Sequence, residues 1–361
     1  MTARCRGRAA IAFATAAAAC ALAGCSAVEY YWQGFVGQAD LLARAKPIAE
    51  VVATTPDAAL GARLARVQSI RAFATSELAL PDNGSYTTYA DLGRPFAVWN
   101  VFAAPELSLA PRQWCFPIAG CVAYRGYFAE ADARSEASRL AAAGDDVHVG
   151  GVPAYSTLGY FDDPVLSTFV RFREVELARL VFHELAHQVV YVRDDTSFNE
   201  SFATAVEEEG VARWLAAQRA QRDPAAFAEL AADAARGERV RADFRTMIAA
   251  TRERLAALYE GTASDDEKRA AKASAFADLR AEYERRKAAT DGFPAFDRWF
   301  QGGANNAGIA AAGLYADRVP RFRALLAAEN GDLARFYDRV RALAALPKAE
   351  REPALAQAAG R

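Results

Sequence analysis

The stretch VFHELAHQVVYVRDDTSFNESFA, Val181–Ala203, constrains this chain more than any other. It holds two of the three histidines in 361 residues, four positions apart, with a glutamate beside the first. An α-helix advances about 100° per residue, so His183 and His187 share one face, a turn apart. Two imidazoles so placed can ligate one metal ion. Glu184, one step round, can reach a water at that ion without binding the ion itself. The alternative is an ordinary polar helix face. Yet the flanking residues are apolar: Leu180, Val181, Phe182, Leu185, Ala186, Val189 and Val190. A packed helix does not turn two imidazoles and a carboxylate inward without partners. The pattern therefore predicts a metal centre, and Zn2+, one per chain, suits such nitrogen ligands.

A catalytic zinc needs a third protein ligand. His148, the remaining histidine, lies in a strand-like segment, where a satisfied sheet position is the simpler reading. Glu200 follows His187 by thirteen positions and opens the next helix. Ser197-Phe198-Asn199-Glu200 also spells a capping box, so this carboxylate is either a ligand or a cap.

The segment resembles the glutamate zincins, whose third ligand comes from an Asn-Glu pair on the helix after His-Glu-x-x-His. Asn199-Glu200-Ser201-Phe202-Ala203 is close to the Asn-Glu-Gly-Phe-Ala of large zinc aminopeptidases. The resemblance implies metal ligands His183, His187 and Glu200, with Glu184 as the catalytic base. The His187 to Glu200 gap is shorter than in the well-known members. Thr204 stands where several of them carry an aspartate that orients the first histidine. Glu207, one turn further on, is the candidate for that role; a solvated face is the alternative for Glu207, Glu208 and Glu209. More widely, YYWQGFVGQADLLARAKPI, WCFPIAGCVAYRGYF, AYSTLGYFDDP, FHELAHQ, NESFA and NNAGI occur in the same order in a family of bacterial predicted aminopeptidases, many of them lipoproteins. That resemblance covers nearly all of residues 25–345.

The N-terminus agrees with export. Arg4, Arg6 and Arg8 precede a short apolar run, Ala9–Ala21, too short for an ordinary membrane span. Leu22-Ala23-Gly24-Cys25 then resembles the lipobox of bacterial lipoproteins, which implies cleavage before Cys25 and lipid on it. A secretory signal with a chance cysteine is the alternative. Residue 26 is serine, not aspartate. In a Gram-negative cell the resemblance implies an outer-membrane lipoprotein facing the periplasm. Of five cysteines, Cys5 and Cys20 lie in the leader and Cys25 in the box. Cys115 and Cys121 remain, and in an oxidising compartment a disulfide is the expected state; a metal pair is the rival.

The expected fold is α+β and helix-dominated, a zincin-like domain over residues 25–345 after a signal peptide at 1–24. One helix is expected over Tyr30–Val52 and another over Ala58–Leu78. β-rich segments follow at 95–104, 122–129 and 147–157, with a helix between the last two. They suggest a small mixed sheet packed on the motif helix. That helix is expected to run from Pro164 to about Val192, and the next from Ser197 to Ala217. Residues 223–290 read as a helical-hairpin insertion, Ile309–Leu346 as further helices walling the cleft, and 346–361 as a frayed tail.

A tetrahedral oxyanion needs a donor besides the metal. Tyr155, Tyr315, Asn305 and Asn306 are candidates, each with packing or turn structure as its plain alternative. By analogy with zincins, 152–159 is the edge strand that would take the substrate. The function expected is zinc-dependent hydrolysis of peptides, as an aminopeptidase in the cell envelope. The Gly-Ala-Met-Glu-Asn signature of the large aminopeptidases is missing, which keeps a restricted endopeptidase open. A non-catalytic envelope lipoprotein with a structural metal is the alternative from another class. A net charge of −2 gives no support for nucleic-acid binding.

Overall fold

The computed structural model describes residues 28–116, 120–290, 296–314 and 317–360. The leader, Cys25 and Tyr315 lie outside the described residues. The chain divides after Arg44 into two units. In the first, helix α1 spans 28–43, and Asp40 pairs with Arg44 at its end.

The second unit opens with strand β1 (Lys46–Pro47), then helices α2 (Ile48–Thr54) and α3 (Ala58–Leu78). The single helix expected over 30–52 is therefore interrupted. Pro47 has no N–H and clashes with a preceding turn, which disfavours a helix running through it; it precedes α2 instead.

The expected single sheet is three small ones. β2 (Thr88–Ala90) pairs antiparallel with β1 and parallel with β8 (Val165–Leu166). β3 (Val98–Pro105) is the buried centre of a second sheet. It lies between β6 (Arg125–Tyr127) and β7 (Asp145–Val152), antiparallel to both. β4 (Trp114–Phe116) and β5 (Gly120–Val122) form a hairpin in which Cys115 faces Cys121, and the two are disulfide-bonded. α4 (Glu130–Ala142) joins β6 to β7. β7 ends at Val152 because Pro153 has no N–H to offer the ladder. Residues 153–159 are thus not the edge strand expected of them.

The motif helix, α5, spans Glu174–Val189. It starts later than expected because Val165 and Leu166 pair with Tyr89 and Ala90 instead of coiling. α6 follows (Thr196–Gln221), then α7 (Pro224–Glu260) and α8 (Asp265–Ala288) as an antiparallel hairpin. α9 (Asp297–Gln301), α10 (Asn306–Leu314), α11 (Val319–Ala328) and α12 (Leu333–Ala344) complete the helical region.

α5 packs chiefly against α6 and α3, while the β3 sheet is covered by α4 and α10. The expected packing of a sheet on the motif helix gives way to helices. Val175, Ala178, Val181, Phe182 and Leu185 are all buried and need apolar neighbours on several sides. Gly210 lets the helices approach: a Cβ there would lie 2.7 Å from Phe182 and 2.8 Å from Leu78. Phe198 and Phe202 of α6 stack edge-on against Phe322, and Phe202 also meets Phe336 and Tyr337.

The tail expected to fray is a helix, α13 (Lys348–Ala359), with Leu355 fully buried. Its Arg351 and Arg318 both bind Asp195, at 3.1 and 2.8 Å. Asp195 is buried, and its side chain also caps α6 by accepting from Phe198 N–H. Asp195→Ala would leave the buried Arg351 guanidinium with the Leu346 carbonyl alone among the described residues, while Arg318 keeps Glu352. It should lower the unfolding free energy by about 3–5 kcal/mol, measured by urea denaturation. A loss below about 1 kcal/mol, the value of a cap alone, would contradict this reading.

Candidate metal centre

α5 turns His183 and His187 to one side, and α6 brings Glu200 up to them. His187 Nε2 lies 3.2 Å from His183 Nε2. Glu200 Oε2 lies 3.3 Å from His183 Nε2 and 3.7 Å from His187 Nε2. Three ligand atoms so close leave lone pairs facing one another, which is unfavourable unless a cation lies among them. Among the described residues, these three form the one group of His, Cys, Asp or Glu suited to a metal ion.

Glu200 stands one turn inside α6, whose N-cap is Asp195, so the Ser197 capping box does not form. Asn199, its neighbour, is turned the other way. It accepts from Val192 N–H and donates to Val192 C=O, both at 2.8 Å, and so latches the loop between α5 and α6. The Asn-Glu pair thus divides the work: the amide fixes the loop and the carboxylate faces the histidines.

Glu207, seven residues on and on the same face, accepts from His183 Nδ1 at 2.8 Å and from Arg179 at 2.8 Å. That bond fixes the ring so that His183 Nε2 faces the triangle. His187 Nδ1 is buried and has no hydrogen-bond partner among the described residues. Burial opposes charge on His183, but bonds from Glu200 and Glu207 outweigh it and push its pKa well above the ordinary value. Burial lowers His187 to about 4. Burial opposes charge on both carboxylates too, yet the histidines hold Glu200 and Glu207 below the usual range.

Glu184 makes no hydrogen bond among the described residues. Burial raises its carboxyl to about 8, opposed by His183 and reinforced by Glu200. A divalent cation within the triangle would draw it down again. Glu184 is thus a carboxylate whose proton is exchangeable near neutrality.

The expected oxyanion donors among the described residues have partners of their own. Tyr155 packs edge-on against Phe128. Asn305 donates to Val147 C=O, and Asn306 accepts from Tyr259 and donates to Glu106 C=O. His148 sits between Phe102 and Trp299, away from the triangle.

Sequence reasoning missed Tyr86. It is 1% exposed, and its hydroxyl has no hydrogen-bond partner among the described residues. Its backbone is left-handed, φ 62°, a strained conformation for a bulky residue. Tyr86 N–H donates to Asp163 C=O at 2.6 Å, and Gln68 donates to Tyr86 C=O. Its neighbour Ser85 accepts from Gln188, which follows His187 on the motif helix; Asn83 donates to the same side chain. Burial, then the charges of Glu184 and Asp163, push the phenol well above its usual pKa, so it remains a neutral donor. In the sequence, Pro81, Asn83 and Gly84 suggest a turn before Tyr86 and nothing more.

A family model described as "Putative aminopeptidase" matches residues 29–355. No curated protein and no solved structure gives a significant match.

Proposed function

The chain belongs to this aminopeptidase family, and we propose that it is a zinc-dependent peptidase, an aminopeptidase working on peptides in the bacterial cell envelope. The observation that carries the reading is the triangle of His183, His187 and Glu200. Tetrahedral zinc with bonds of about 2.0–2.2 Å keeps its ligand atoms about 3.3–3.6 Å apart. The separations of 3.2, 3.3 and 3.7 Å fit that ion. We read the α5–α6 pair as a zincin-like site on this ground. Structural zinc usually closes four positions with protein; here three ligands leave one for water, beside Glu184.

Zinc, when bound, acts as a Lewis acid that acidifies water and polarises the scissile carbonyl. Glu184 takes the proton of the attacking water and passes it to the leaving amine. Tyr86, whose buried hydroxyl has no partner among the described residues and feels the Glu184 charge, joins Tyr155 as a candidate donor to the oxygen on which charge develops. Glu207 holds the His183 ring in place, and Arg179 holds Glu207. Glu207→Gln keeps the shape but weakens this hold; zinc affinity should fall about 10–100-fold, measured by competition with a chromophoric chelator. Unchanged affinity would remove Glu207 from the site.

The leader and the Leu-Ala-Gly-Cys box support export and lipid on Cys25, hence an envelope protein on the outer membrane. A restricted endopeptidase is the second reading. An aminopeptidase must pair the substrate ammonium with a carboxylate. Glu207 is engaged by His183 and Arg179, and buried Asp163 accepts from Thr157 N–H. Zinc-loaded protein offered one peptide set, with free and with acetylated N-termini, separates the two. Release of N-terminal residues from the free set alone, abolished by chelator and restored by zinc, is expected. Internal cleavage of the acetylated set would establish the endopeptidase, and no cleavage of either set would contradict both.

A further inference from the structure

Helix α1 concentrates the exposed apolar surface of the described chain. Val28, Tyr31, Trp32, Phe35 and Val36 are five of its eight exposed large hydrophobic residues, with Trp32 64% and Phe35 66% exposed. At about 100° per residue they fall within an arc of about 140°. Glu29, Gln33, Asp40 and Arg44 form a polar stripe beside that arc. Tyr30, Gly34, Gly37 and Leu41 occupy the less exposed face. Single exposed hydrophobics need no explanation, but a contiguous patch marks something that covers it.

The chemistry of the patch indicates what does. Trp and Tyr carry an apolar ring and a polar edge, and they favour the headgroup level of a bilayer. No helix among the described residues is long and apolar enough to cross a membrane. An amphipathic helix of this kind lies in the interface plane. The position in the chain agrees: Cys25 of the Leu-Ala-Gly-Cys box stands three residues before Val28. Lipid on Cys25 would place the start of α1 at the membrane surface. Glu29, Asp40 and Arg44 give the helix no basic face, so insertion of rings, not attraction to anionic lipid, must hold it.

We infer that α1 lies in the lipid interface, with Val28, Tyr31, Trp32, Phe35 and Val36 set among the headgroups and upper acyl chains. The inference rests on the reading of Cys25 as the lipid-bearing residue and goes beyond it by assigning the helix a membrane contact of its own.

The test uses the full chain, made with its leader, extracted from membranes and reconstituted into phosphatidylethanolamine–phosphatidylglycerol vesicles. Part of the lipid is brominated near the top of the acyl chain. Of five tryptophans only Trp32 lies in α1. Wild type should float with the vesicles and lose part of its tryptophan fluorescence to the brominated lipid, unchanged by high salt. Trp32→Phe should float equally but lose that quenched part. Flotation with equal quenching in both proteins would overturn the inference, leave the anchor standing and assign the patch to a protein partner. Wild type that fails to float would overturn the anchor and the inference together.

Discussion

Glu184→Gln is expected to lower the turnover of peptide substrates by about 10²–10⁴-fold, the usual contribution of a positioned base. Zinc content and stability should stay at wild-type levels. The reasons are specific to this position. Glutamine has nearly the same shape, and no hydrogen bond within the fold depends on the Glu184 carboxylate. Burial raises that carboxyl to about 8, so its charged form is disfavoured in the metal-free fold, and a neutral amide costs nothing there. The loss should appear in kcat, because the proton moves only during reaction. A variant with wild-type turnover would remove Glu184 from the mechanism. A variant that lost zinc would make it a ligand.

Glu200→Ala should have the opposite signature. It removes one corner of the triangle and leaves two imidazoles to hold the ion. Zinc affinity should fall by at least about 100-fold, beyond the range expected for a residue that only orients a ligand. Activity at limiting zinc should fall with it. The fold should survive, because α6 is capped by Asp195 and its preceding loop is latched by Asn199. If Glu200 were instead the far half of a capping box, its loss would cost about 1 kcal/mol and leave zinc binding alone. Titration of zinc into the two proteins, with urea denaturation of each, separates these outcomes.

The contrast between these variants reflects what the sequence made legible. The spacing of His183, Glu184 and His187 is a local property of one helix, and the seven-residue step from Glu200 to Glu207 is a local property of the next. Periodicity reads both. The helix-rich character of the chain and the α7–α8 hairpin were legible for the same reason. What escaped was set by contacts distant in sequence. Val165 and Leu166 look helical after Pro164, but pairing with Tyr89 and Ala90 draws them into a strand. Residues 348–359 look like a polar tail, but Asp195, about 150 residues upstream, holds Arg351 and anchors that helix. Tyr86 gave no sign at all. Its left-handed backbone and lone hydroxyl follow from a turn pinned by Gln68, Asp163 and Gln188, and nothing in six neighbouring residues announces that. Val, Pro and Tyr around Tyr155 suggest an edge strand, but Pro153 ends the strand before reaching it.

All of the proposed chemistry depends on one ion between α5 and α6. The most direct test is the metal content of the wild-type protein, purified without chelator and measured by elemental analysis. About one zinc per folded chain is the result expected. A well-folded protein that carries no zinc, and takes up none when zinc is added back, would contradict the account. His183, His187 and Glu200 would then be a buried polar cluster whose cation is a proton.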